Sequence, residues 1–296
     1  MPVTGAIKFF QRSRCLYSDG ARVTPVLNSS IENILSYNRD HIYKSLGPVH
    51  TPVVSASIQF DKVYPINRLI LINFNMPRVN IRFIRENGSF LTPQGVSDID
   101  NNEIDTRVTV NGMDLNFDTP DIVTRTVYLE FDEFLASGLR LAFSDSPDGI
   151  RTENYTDETP AIFQQVIATK EIGTFQGFPN LSSYSENQNE IVNTTSTGLK
   201  HVVKQSRTID KFKLRFTAYP IENDVSISEK LYNSSESFTV WPCGGGYGSN
   251  HFLFDKEGWR LSDIYNVQTV GTKSLRWYKN FYKSGANTGL DLVEVI

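Results

Sequence analysis

The chain has 296 residues with 29 basic and 33 acidic side chains, a net charge of −4. That length holds one large or two ordinary domains with real cores, which excludes a disulfide-stapled miniprotein. The near balance of charge gives no overall attraction to nucleic acid or to an anionic membrane surface. Asn, Ser and Thr number 23, 27 and 23 against 9 Ala. These short polar residues favour turns and strands over helix interiors, so the composition predicts an all-β protein.

Residues 1–19 form an N-terminal segment or anchor. Lys8, Arg12 and Arg14 interrupt the unbroken apolar run that a secretory signal needs, so none is expected. Phe9 and Phe10 beside those arginines suit an anchor inserted into a neighbouring subunit. Leu69 to Ile72, the longest strongly apolar stretch, falls far short of the roughly 20 residues that span a bilayer, so a soluble protein without membrane insertion is expected. Cys15 and Cys243 are too few and too far apart for a disulfide framework or a zinc site, and read as reduced structural thiols.

Residues 20–178 read as one β unit. Ser29-Ser-Ile-Glu32 has capping-box spacing for a helix of at most two turns. Arg68 to Phe74 has the length of a strand buried on both faces, and Asn75-Met-Pro77 breaks it. Val79 to Phe83 alternates as a half-exposed strand does. Arg107 to Val110 and Met113 to Phe117 flank Asn111-Gly112, a type I′ hairpin signal. Thr126 to Phe131 and Leu139 to Phe143 are two further strands joined by a turn at Glu133 to Gly138. Phe163 to Ile172 closes the unit.

Residues 179–205 hold few groups worth burying and read as a polar linker or extended arm, ordered by partners. Residues 206–296 make a smaller C-terminal β domain. Lys211 to Phe216 alternates strictly, Ser226-Ile-Ser-Glu229 marks a second short helix start, and Phe238 to Trp241, Asp263 to Val270 and Leu290 to Val295 supply strands. No repeat of fixed period indicates a solenoid or propeller.

Common hydrolase and nucleotide-binding motifs are absent, and four histidines leave few general bases, so no enzyme and no cofactor are expected. A glycosidase needs only two carboxylates, which spacing does not reveal. Cys243 with His251 offers a thiol and a base, whereas Trp241-Pro-Cys243-Gly244-Gly245 reads structurally as a strand end followed by a tight backbone turn. Asp98, Asp100 and Asp105 form an acidic loop able to hold a hard cation, or a solvated connection. Tyr37, Arg39, His41 and Tyr43 combine aromatic faces with hydrogen-bonding groups, as a sugar-binding loop does; the same pattern fits a loop covering a sandwich edge. Arg78, Arg82 and Arg85 read as a solvated strand face, the first able to pair with a local carboxylate.

The runs Asn28-Ser-Ser-Ile-Glu-Asn-Ile34, Phe60 to Asn75, Val127-Tyr-Leu-Glu-Phe131, Leu139-Arg-Leu141 and Phe163 to Gly173 resemble galactose-binding-like (discoidin-type) jelly-roll domains. The resemblance covers about residues 20–175. It implies a β-sandwich whose ligands bind at loops on one end, and so points to Tyr37, Arg39, His41 and Tyr43. Phe238-Thr-Val-Trp-Pro-Cys-Gly-Gly and Gly258-Trp-Arg-Leu-Ser-Asp-Ile-Tyr265 look similar to tail and baseplate structural proteins of tailed bacteriophages. That likeness implies a non-enzymatic virion component, assembled in the host cytoplasm as a homo-oligomer among other virion proteins. Phe9, Phe10, Trp241, Cys243, Gly244, Gly245, Trp259 and Ile296 would be its interface. The alternative is a carbohydrate-binding adhesion module that contacts the host surface.

Overall fold

The computed structural model describes residues 7–15, 22–25, 31–36, 43–48, 54–76, 78–98, 104–109, 112–117, 125–144, 160–175, 181–194, 200–218, 222–241, 264–271, 273–279 and 284–295. In chain order the first strands are β1 (Ile7–Gln11), β2 (Arg22–Pro25), β3 (Tyr43–Pro48), β4 (Val54–Phe74), β5 (Arg78–Ile84) and β6 (Phe90–Leu91). There follow β7 (Ser97–Asp98), β8 (Ile104–Thr109), β9 (Gly112–Phe117), β10 (Arg125–Ser144), β11 (Pro160–Thr169) and β12 (Glu171–Phe175). The last are β13 (Leu181–Thr194), β14 (Lys200–Ala218), β15 (Phe238–Trp241), β16 (Tyr265–Thr269), β17 (Ser274–Lys279) and β18 (Ser284–Glu294). A 3-10 helix, Ile31–Leu35, and one α-helix, α1 (Glu222–Asn233), complete the described elements. The expected all-β class holds.

Contacts divide the chain into a first unit, Ser13–Glu171, and a second unit, Met1–Arg12 with Ile172–Ile296. This corrects the expected boundaries at 19, 178 and 205. Residues 7–11 are no anchor: they form a strand of the second unit's sheet, where β1 lies between β12 and β15. Phe9 and Phe10 are fully buried within the chain, which removes them as a docking surface.

The first unit is a β-sandwich built on one long ribbon, β4 paired antiparallel with β10. At one end Val54 to Gln59 pair with Phe143 to Gly138, and β2 and β5 extend that sheet outward. At the other end Arg68 to Phe74 pair with Glu130 to Arg125, and β11, β3 and β7 extend that one. Of three breaks in register, the two at the corner, first between Glu130 and Phe134 and second between Ala136 and Gly138, let the ribbon bend from one sheet into the other. Bulges of this kind sharpen local twist and turn strands at sandwich corners.

Alternation places the core. Ala56, Ile58, Val79, Ile81, Phe83, Leu139 and Leu141 face Leu69, Leu71, Val127, Leu129, Val166 and Ala168 in one apolar cluster. The other face of the second sheet is buried as well, at Ile70, Ile72, Tyr128 and Ile167. This explains why Leu69 to Ile72 is continuously apolar.

In the second unit the sheet order is β12-β1-β15-β16-β18-β14-β13, with β17 on the same edge of β18 as β16. Ile227 and Leu231, one turn apart on α1, pack with Phe9, Phe238, Val240, Val267, Leu290 and Leu292. The helix begins four residues before Ser226, so that serine lies inside it and is not the cap. Residues 181–194 are not an unpaired linker: β13 and β14 pair as a hairpin from Leu181↔Arg215 to Thr194↔Lys200, and only Lys211 to Ala218 of β14 also pairs with β18. The correction has a physical source, because backbone pairing with β14 orders a strand whose own side chains carry no apolar pattern.

Candidate functional site at the sandwich corner

Tyr37, Arg39 and His41 lie outside the described residues, and of Tyr43 only the backbone is described, in β3 opposite Phe163. Asp100 lies outside them too. The backbones of Asp98 and Asp105 belong to β7 and β8, which pair with β10 and β9 respectively, so the sheet does not bring these two acids onto neighbouring strands. No group of metal-ligating side chains occurs among the described residues. Cys243, Gly244, Gly245, His251, Trp259 and Ile296 also lie outside them. Trp241 is buried in β15, so its side chain offers no surface for docking. Cys15 is fully buried in the first core, and burial raises its thiol pKa, only partly opposed by a hydrogen bond with the Ala168 backbone. Such a thiol packs as a small hydrophobe and is not a nucleophile.

The feature that the fold assembles is an open depression of about 630 Å³ lined by Val63, Arg85, Glu86, Asn87, Leu91 and Leu135. It lies beside the corner of the ribbon. Ala136 faces the core opposite Tyr64, so its neighbour Leu135, opposite Pro65, is turned outward and is 61% exposed. Beneath the corner Phe83, Phe131 and Phe134 form an aromatic cluster with ring centroids 4.9 to 5.2 Å apart. That packing holds the bulge in place.

The polar side of the depression is the tight turn between β5 and β6. The Arg85 amide donates to Ser89 O at 2.8 Å, the Gly88 amide to Arg85 O at 2.9 Å, and Gly88 has φ +78°. Asn87 Oδ1 accepts from the Ser89 amide and hydroxyl at 3.0 and 2.7 Å. Ser137, at the second break in β10, donates its hydroxyl to Arg85 O at 2.8 Å and so ties turn to corner. The Arg85 guanidinium, the Glu86 carboxylate and the Asn87 amide nitrogen remain exposed and available. An apolar floor of Val63, Leu91 and Leu135 thus meets a cation, an anion and an amide donor, a mixture suited to a polar ligand with one apolar face.

A second polar constellation is structural. Arg68 Nε donates to the Tyr128 hydroxyl at 2.9 Å, its terminal nitrogens reach Asn67 O at 2.7 Å and the Glu171 carboxylate, and Glu130 lies 3.6 Å away. Burial alone would lower the Arg68 pKa, but Tyr128, Glu171 and Glu130 together raise it. Burial raises that of Tyr128 against the pull of Arg68. Neither Arg68 nor Tyr128 titrates at neutral pH.

Sequence reasoning did not find the corner. Leu135 sits in the Glu133 to Gly138 stretch expected as a turn, and only its apolar character amid polar and small residues marked it. Arg78 behaves as expected, pairing with Asp114 at 3.7 Å.

No family model and no curated protein matches the chain. Among solved structures it is similar to the CBM32-5 module of CpGH89 from Clostridium perfringens, in complex with GalNAc-β-1,3-galactose. That match has 12% identity and TM-score 0.32, and covers 50% of this chain and 94% of the other. It is also similar to the family 32 carbohydrate-binding module of Streptococcus pneumoniae EndoD, at 10% identity and TM-score 0.33, covering 51% and 96%. Reduced XRCC1, bound to the DNA pol beta catalytic domain, matches at 13% identity and TM-score 0.36, covering 54% and 98%. At these scores the likeness assigns no ligand to this chain.

Proposed function

We propose that the first unit is a non-catalytic carbohydrate-binding module of galactose-binding-like jelly-roll type, which holds a saccharide in the corner depression. One observation carries this reading: three apolar side chains, the exposed Leu135 and the half-buried Val63 and Leu91, share a depression with the polar rim of Arg85, Glu86 and Asn87. A pyranose ring has an apolar C–H face and a circle of hydroxyls, and this arrangement offers a partner to each. A glycan array probed with the full chain tests it. Retention of a defined saccharide set, lost in Leu135→Asp, supports the reading; an array silent at high protein concentration overturns it.

A second reading is a structural component of a tailed-phage virion, assembled in the host cytoplasm through protein–protein contacts. It is favoured by β13, whose 14 residues end the second unit's sheet with no strand beyond them among the described residues. An edge of that length offers a row of backbone donors and acceptors to a neighbouring chain. Light scattering across a concentration series distinguishes the two, because the assembly reading requires stoichiometric oligomers and the module reading does not.

A further inference from the structure

The outward face of β5 and β10 carries an arrangement that neither the core nor the corner explains. Arg82 and Arg140 are direct partners in the antiparallel register. Side chains so placed share a face with Cβ atoms roughly 5 Å apart, and like charges there repel. Among the described residues neither arginine has a carboxylate partner. Arg82 donates from Nε to Asn80 Oδ1 at 3.1 Å and lies 5.2 Å from the Phe90 ring centroid, while Arg140 is exposed. The carboxylate near them is already engaged, since Asp114 accepts from Asn80 Nδ2 at 2.5 Å and pairs with Arg78. On the other side of Arg140 its partner is Ser57, half-buried, which adds a hydroxyl in the same row. Two arginines thus sit side by side on one sheet face, beside a hydroxyl-bearing residue, with no carboxylate paired to either among the described residues.

We propose that Arg82 and Arg140 form an oxyanion-binding site that takes a sulfate, phosphate or carboxylate group, either free or carried on a saccharide. Guanidinium groups match such oxygens in paired, charge-assisted hydrogen bonds, and a bound anion converts their mutual repulsion into attraction. Asn80 and Phe90 hold Arg82 in place before the ligand arrives, which lowers the ordering cost of binding. The site shares no residue with the corner depression, so it stands or falls separately from the saccharide reading.

The test is a titration of the full chain, followed through the arginine Nε–Hε resonances, with sodium sulfate against sodium chloride at matched ionic strength. Saturable movement of the Arg82 and Arg140 signals by sulfate is expected, with chloride at least about tenfold weaker. Arg140→Gln should weaken the Arg82 response about tenfold, the loss of one charge-assisted contact. Arg140 is exposed, so this variant keeps the fold, and an unchanged circular dichroism spectrum confirms that. Equal responses to the two salts, or an Arg82 response unchanged in Arg140→Gln, overturn the proposal. A second arm uses a uronate-containing disaccharide beside its neutral analogue: tighter binding of the acidic sugar than of sulfate identifies a saccharide as the carrier, and weaker binding identifies the free anion, both supporting the site.

Discussion

Arg68 and Tyr128 stand on the same buried sheet face, on adjacent strands of the ribbon, with Arg68 Nε donating to the tyrosine hydroxyl at 2.9 Å. Tyr128 is 2% exposed, so this hydroxyl has no solvent to replace its partner. Tyr128→Phe is expected to cost about 1–2 kcal/mol of unfolding free energy, since it strands a charged donor. Arg68→Ala is expected to cost about 2–3 kcal/mol, because it leaves the half-buried Glu171 without its cation. Urea denaturation of both variants checks the order; an Arg68→Ala protein as stable as the parent would remove the network from the account of stability.

Gly138 lies at the second register break, and a Cβ there would come within 2.4 Å of Ile58 O. The ribbon cannot hold its spacing around that atom. Gly138→Ala is therefore expected to destabilise the first unit by about 1–3 kcal/mol or to shift the corner. Thermal unfolding measures the loss, and the saccharide response of the soluble variant reports on the depression.

Leu135 contributes to the depression without supporting the core. Its replacement by Asp is expected to change stability by no more than about 0.5 kcal/mol. Glycan affinity should fall by about tenfold or more, because a charge replaces the apolar floor beneath the sugar ring. Parallel measurement of unfolding and glycan binding separates the two effects, and a variant that loses both equally would show that Leu135 acts through folding.

Alkaline pH should weaken the fold. The ordinary thiol value of 9.0 is raised for Cys15 by burial, and the ordinary phenol value of 10.0 is raised for Tyr128, so both stay protonated in the folded chain after the unfolded chain has released its protons. Stability is then full below pH 9.0 and declines as pH rises above it, first through Cys15 and then through Tyr128. The urea midpoint followed upward from neutral pH should show this decline, and Cys15→Ala should delay its onset toward pH 10.0. A midpoint independent of pH across that range would contradict the burial of both groups.

Local patterns were legible wherever burial itself is periodic. Val79 to Phe83 alternates in sequence and in exposure, and Leu69 to Ile72 is apolar because both faces of β4 are covered there. The hairpin at Asn111 was legible, for β8 and β9 pair antiparallel up to Thr109↔Gly112. The strand of Leu181 to Thr194 was not, because its order comes from pairing with β14 and not from a face of its own. Nor was the continuity of β10, whose polar and small residues at Glu133 to Gly138 look like a turn until β4 is found beside them.

By itself, the sequence determined the class of this protein, all β with little helix, since propensity and period-2 burial act over a few residues. Only the tertiary structure decided that Phe9 and Phe10 belong to the second unit's sheet. It alone turned Leu135 outward at a corner and set Arg82 against Arg140. Those outcomes depend on which strand pairs with which and in what register. A strand's own residues specify the face it buries but not the partner that lies beside it.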